Sequence, residues 1–156
     1  MVGLRASRRA SNHQHRQVLN MNSLFPVLCV NEVSQSQAFY QRLFDMRAAF
    51  EIDWYVQLQS PANEAIQLAF VQRDHPSVPQ RFQVPAAGVV VTLEVDDAPH
   101  YHDRARELGL QIEVPLRDEP WGQRHFMVVD PDGVLVDVVR VLVPQLRALR
   151  EARRPQ

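Results

Sequence analysis

The chain has no lysine; all 17 of its basic residues are arginine. Cysteine is nearly absent too. Cys29 stands alone, so no internal disulfide can form, and a reducing compartment, the cytoplasm, is the expected setting. Cys29 lies within Val27-Leu28-Cys29-Val30, with no base or positive charge beside it. That is the place of a small core residue rather than a nucleophile. No apolar run approaches the roughly 20 residues that span a bilayer, so no membrane partner is expected. The first 22 residues lack the apolar core of a secretory signal. The body of the chain also lacks basic charge, with 9 arginines against 17 acids in residues 21–144. Phosphate needs a basic footprint, so nucleic acid is excluded as the main partner, and a cationic ligand suits this balance better than an anionic one.

Local order is strongest in residues 120–140. Arg124–Val129 and Val134–Val141 are rich in β-branched and aromatic residues, and Asp130-Pro131-Asp132-Gly133 stands between them. Proline presets φ, aspartate bonds its own backbone and glycine accepts a positive φ, so a hairpin is predicted. Alternation puts Asp137 on one face with Leu135 and Val139, a carboxylate flanked by apolar neighbours.

The remaining pattern is a repeat. A strand over 24–30 precedes a helix from Ser34, its predicted cap, to about Phe44, with Ala38, Phe39 and Leu43 on the apolar stripe. Strands at 46–52, 54–59 and 65–72 follow. Residues 73–88, with Pro76, Pro79 and Pro85, read as a linker. The sequence then restarts: a strand over 89–95, a helix opened by Asp96-Asp97 and closed by Gly109, a short strand over 111–114, a loop over 115–123 holding Trp121, and the hairpin. The helix entries Val30-Asn31-Glu32-Val33 and Val95-Asp96-Asp97-Ala98 match. The predicted class is therefore α+β: paired βαβββ modules at about 24–72 and 89–140, forming a curved mixed sheet with helices outside. Residues 1–22 are expected to be a disordered arm, residues 23–141 the domain, and residues 142–156 a basic tail.

The strand, Phe39-Tyr40 on helix one, Pro120-Trp121-Gly122-x-Arg124-x-Phe126 and Asp130-Pro131-Asp132-Gly133, in this order, resemble the vicinal oxygen chelate superfamily over about residues 23–141. That superfamily includes glyoxalase I, extradiol dioxygenases, fosfomycin-resistance proteins and bleomycin-binding resistance proteins. The resemblance implies a concave cleft and a homodimer. It also implies metal-ligand positions on the first and last strand of each module, which fall here on Phe25, near Gln67, on Val90 and on Asp137. Only Asp137 offers a carboxylate, and phenylalanine and valine coordinate nothing. His13, His15, His75, His100, His102 and His125 all fall elsewhere. The reading that follows is a metal-free, cofactor-free protein binding an aromatic or cationic small molecule. The alternatives are a lyase or dioxygenase with an altered divalent-metal site that uses Asp137, and a non-catalytic dimerisation module whose cleft its own side chains fill.

The expected cleft has Phe25, Val27, Gln67, Ala69, Val90, Thr92, Arg124, Phe126, Leu135 and Asp137 facing inward, with Trp54 and Trp121 at the rim. The tryptophans would stack on a flat or cationic ligand, or plug the cleft. Asp137 would attract a cation or act as a base, or else pair with Arg124 or Arg140. Arg124 would orient an anionic group or close a structural salt bridge.

Overall fold

A computed structural model describes residues 19–143. The arm and tail expectations for residues 1–18 and 144–156 lie outside these residues. The βαβββ unit occurs twice. Module one runs β1 (Val27–Val30), α1 (Val33–Phe44), β2 (Arg47–Ile52), β3 (Tyr55–Gln59) and β4 (Gln67–Gln72). Module two runs β5 (Val90–Glu94), α2 (Ala98–Glu107), β6 (Ile112–Glu119), β7 (Gln123–Val129) and β8 (Leu135–Val141). The sheet is divided into two four-stranded halves, in the orders β1-β4-β3-β2 and β5-β8-β7-β6. In each half the first strand pairs parallel with the last and the other pairs are antiparallel.

Burial separates the two faces of each sheet. Leu28, Val30, Val56, Leu58, Leu68 and Phe70 turn toward α1, where Phe39, Tyr40, Leu43 and Phe44 form the spaced apolar stripe. In module two Phe126, Val128, Val136 and Val138 play the same part. Full burial of a side chain such as Phe70 or Leu58 stabilises by about 1.5–3 kcal/mol. The two helices touch: the Phe44 and Tyr101 rings lie 5.7 Å apart, and Arg104 holds Asp45 through two hydrogen bonds of 2.8 and 2.9 Å. The helix-facing side chains of both modules thus merge into one core, and the opposite face of each sheet is left open.

Helix α1 is not capped by Ser34. Its N-cap is Glu32, which makes no side-chain capping bond. The polar groups at this end turn instead to the other module. Asp132 accepts from the Asn31 N–H at 2.8 Å and from the Ser36 hydroxyl at 3.1 Å. Asp130 accepts from the Tyr40 hydroxyl at 3.1 Å and from the Asp132 and Val134 amides, both at 2.9 Å. Burial pushes the Asp130 carboxyl above its usual range, against the bonds that favour its charge, and pushes the Tyr40 hydroxyl well up. The turn that shapes the hairpin therefore also joins the modules. Helix α2 follows the local rules: Asp97 accepts from the His100 amide at 3.1 Å, Pro99 sits in the first turn, and Gly109 follows the helix with φ 67°.

The expected loop over 115–123 is mostly strand. β6 continues through Pro115 to Glu119, and only Pro120–Gly122 turns. β6 is an edge strand with irregular register on either side of Pro115, and there the missing proline N–H leaves no ladder bond broken. Within the linker, Gln80–Phe82 forms a single 3-10 turn.

Candidate functional site

The open face of module one is apolar. Val27 and Cys29 from β1, Phe50 and Ile52 from β2, Tyr55 from β3 and Val71 from β4 point to it by strand alternation. Ser77, Val78 and Pro79 come over from the segment after β4, and Trp54 closes one side. Together they line an open cavity of about 460 Å³, within the roughly 300–1,000 Å³ of small-molecule pockets. The Trp54 indole is held flat against His75, with ring centres 3.8 Å apart and planes 7° from parallel. The Ser77 amide donates to His75 Nδ1 at 3.2 Å and fixes that ring in turn. Beyond the cavity wall, the Tyr55 hydroxyl donates to Gln57 Oε1 at 3.1 Å, Gln57 Nε2 donates to Gln67 Oε1 at 2.7 Å, and Gln67 Nε2 donates to the Glu64 carbonyl at 2.8 Å. Burial raises the Tyr55 hydroxyl pKa.

The open face of module two is charged. His125 is buried there between two carboxylates, with Nδ1 2.8 Å from Asp137 Oδ1 and Nε2 3.0 Å from Glu119 Oε1. Arg117 also donates to Glu119 Oε1. His125 and then Arg117 hold the Glu119 carboxyl below its usual range. Thr92 lies beside Asp137 in the parallel register. Trp121 is 61% exposed, donates to Gln123 Oε1 at 2.7 Å and turns its edge toward the His125 ring.

Two expected inward residues face the other way. Phe126 is fully buried on the helix side, its ring 5.2 Å from that of His102, and Arg124 shares that face, bonded to Asp118 at 2.6 and 2.9 Å. A single residue in the turn decides this. A turn of Asp130–Gly133 would pair Val129 with Val134 and set Phe126 opposite Asp137. In the structure the Asp130 amide donates to the Val134 carbonyl, Val129 pairs with Leu135, and Met127 stands opposite Asp137. That one-residue shift flips every side chain of β7. His125 is thereby the functional candidate that sequence reasoning missed, and Glu119 followed it because β6 from Pro115 onward was read as loop. Asp137 pairs with His125, not with Arg124 or Arg140.

The remaining candidates are dispersed. Trp54 lines the cavity, whereas Trp121, Thr92, Val90 and Asp137 belong to module two. Phe25 precedes β1 and is half-buried, and Val90 is 51% exposed. Matching Val30 with Val95 and following the parallel registers makes Ala69, not Gln67, the module-one counterpart of Asp137.

The Glyoxalase/Bleomycin resistance protein/Dioxygenase superfamily model matches residues 21–138. The chain belongs to this superfamily. Its fold is also that of several solved members. The bleomycin resistance determinant encoded on transposon Tn5 is 22% identical, with a TM-score of 0.58, over 79% of this chain and 100% of that one. A superfamily member from Sphaerobacter thermophilus is 20% identical, with a TM-score of 0.65, over 79% and 99%. A lactoylglutathione lyase from Agrobacterium tumefaciens is 17% identical, with a TM-score of 0.61, over 81% and 97%. A search of curated proteins found no match.

The superfamily's metal positions do not fit an ion in this chain. Phe25, Val90 and Ala69 carry no donor, the neighbouring Gln67 spends its amide on Gln57 and Glu64, and Asp137 is engaged by His125. Among the described residues no three His, Cys, Asp or Glu side chains form a metal set. His125 and Glu119 alone make only two donors, and Arg117 sits against the carboxylate. No helix among the described residues is long and apolar enough to cross a membrane.

Proposed function

We propose that this superfamily member is a metal-free, cofactor-free protein that binds an aromatic or cationic small molecule on its open sheet faces and works as a cytoplasmic homodimer. The cavity of about 460 Å³ walled by Phe50, Ile52, Trp54 and Tyr55 carries this reading, because a built apolar concavity beside an aromatic wall is how proteins hold small molecules. The donor set argues in the same direction: apolar residues stand at three of the four metal positions and a histidine holds the remaining carboxylate.

The homodimer rests on uncovered apolar surface. Phe50 is 53% exposed and Val90 51%, one on each open face. Side chains of this kind on a concave sheet face suit cover by a second copy.

Metal analysis by mass spectrometry, on protein purified without chelator or histidine tag, tests the central claim. Trace metal only is expected, and near-stoichiometric iron, zinc, manganese or nickel would overturn it. Light scattering on the same sample is expected to give twice the chain mass; a monomer at micromolar concentration would remove the dimer.

A further inference from the structure

We infer that the module-one cavity selects an uncharged flat aromatic ring and rejects the corresponding cation. The inference rests on the small-molecule reading above and narrows it to one of its two ligand classes. Among the residues that wall the cavity there is no Asp, Glu, Arg or His. Its polar groups are few and mostly committed. The Tyr55 hydroxyl donates to Gln57, the Ser77 hydroxyl lies 2.9 Å from His75, and Cys29 contributes a free thiol. Glu51 and Asp53 neighbour the lining residues in sequence, but both are exposed and stand outside the wall.

A cation settling on this wall gives up the water on that side and meets no counter-charge among the lining residues. An aromatic face returns only part of that loss. A neutral ring loses little and gains burial of the face it lays on the wall. The wall also offers three aromatic rings close together. Phe50 and Trp54 each lie 6.1 Å from Tyr55, and His75, which is not part of the wall, clamps the indole in one orientation. A ligand therefore meets an aromatic surface that is already set. The carboxylates that would attract a cation, Asp137 and Glu119, belong to module two and are engaged with His125.

Quinoline and N-methylquinolinium, nearly equal in shape and different in charge, separate the two classes at pH 7.5. The chain has two tryptophans. In nitrogen-15 NMR of the full chain each gives one indole N–H signal, assigned with Trp121→Phe. Quinoline is expected to move the Trp54 signal with a Kd at least tenfold lower than that of N-methylquinolinium, leaving Trp121 in place. Equal or tighter binding of the cation at Trp54 would overturn the inference while the small-molecule reading stands. The same holds if both probes move Trp121 alone. Silence of both indoles at millimolar probe would overturn the inference and the reading together.

Discussion

On β2, β3 and β4 module one turns Phe50, Tyr55 and Ala69 to its open face; on β6, β7 and β8 module two turns Glu119, His125 and Asp137 to the same side. The chain path is shared and the chemistry is not. One face is held by aromatic contact and neutral amide bonds, the other by a histidine between carboxylates. A fold of this kind fixes where a side chain points and leaves its chemistry to the individual residue. The two faces should therefore fail in different ways.

The largest effect is expected from His125→Ala. It leaves Asp137 and Glu119 as neighbouring carboxylates without their shared partner, and a loss of about 3 kcal/mol in urea unfolding is expected. The matched change on the other face, Gln57→Ala, removes neutral bonds only and is expected to cost about 1 kcal/mol. Equal losses would mean that the histidine network does not set module two apart.

A middle effect is expected at the joint between the modules. Asp132→Ala removes the acceptor of the Asn31 amide and the Ser36 hydroxyl, the latter fully buried, and should cost about 1–2 kcal/mol. A single unfolding transition that moves to lower urea is expected. Separation into two transitions would show that the modules are joined mainly through this bond.

The smallest effect is one of pH. The folded pKa of Glu119 lies below its ordinary 4.5, so its ionised form stabilises the fold above that value. The contribution is lost as pH falls through the folded pKa. Glu119→Gln should therefore show a flatter decline in stability than the parent chain over that acid range. Asp130 works in the opposite sense. Its folded pKa lies above 3.8, so its contribution is present at lower pH and is lost as pH rises through the folded value. A parent and Glu119→Gln pair with superimposable acid limbs would remove the charge assignment of the module-two face.

The repeat, the hairpin and the caps of α2 were legible because local chemistry specifies them: an alternating strand, a proline–glycine turn, an aspartate before a helix. The open face of module one was legible as well, since Val27 and Ala69 lie where alternation puts them. The module-two site was only half legible. Asp137 was found, but its partners depended on whether Val134 ends the turn or begins the strand, and no propensity decides that. Pro115 concealed β6 because the tolerance of an edge strand for proline depends on the neighbour it lacks. Of the cavity only Val27 and Trp54 were legible, as expected cleft residues. It exists because residues 77–79 fold back over the first sheet, a contact set by tertiary packing rather than by the prolines that mark the segment.

The link from Asp132 to α1 also has a consequence for the order of synthesis. Asp132 is made 101 residues after Asn31, and the Ser36 hydroxyl waits 96 residues for the same carboxylate. While the chain grows on the ribosome, the first helix emerges with its leading end unfinished, and the acceptor for that end leaves the exit tunnel only when most of module two has been translated. Module one can take shape early, but its final geometry is sealed by almost the last turn to appear.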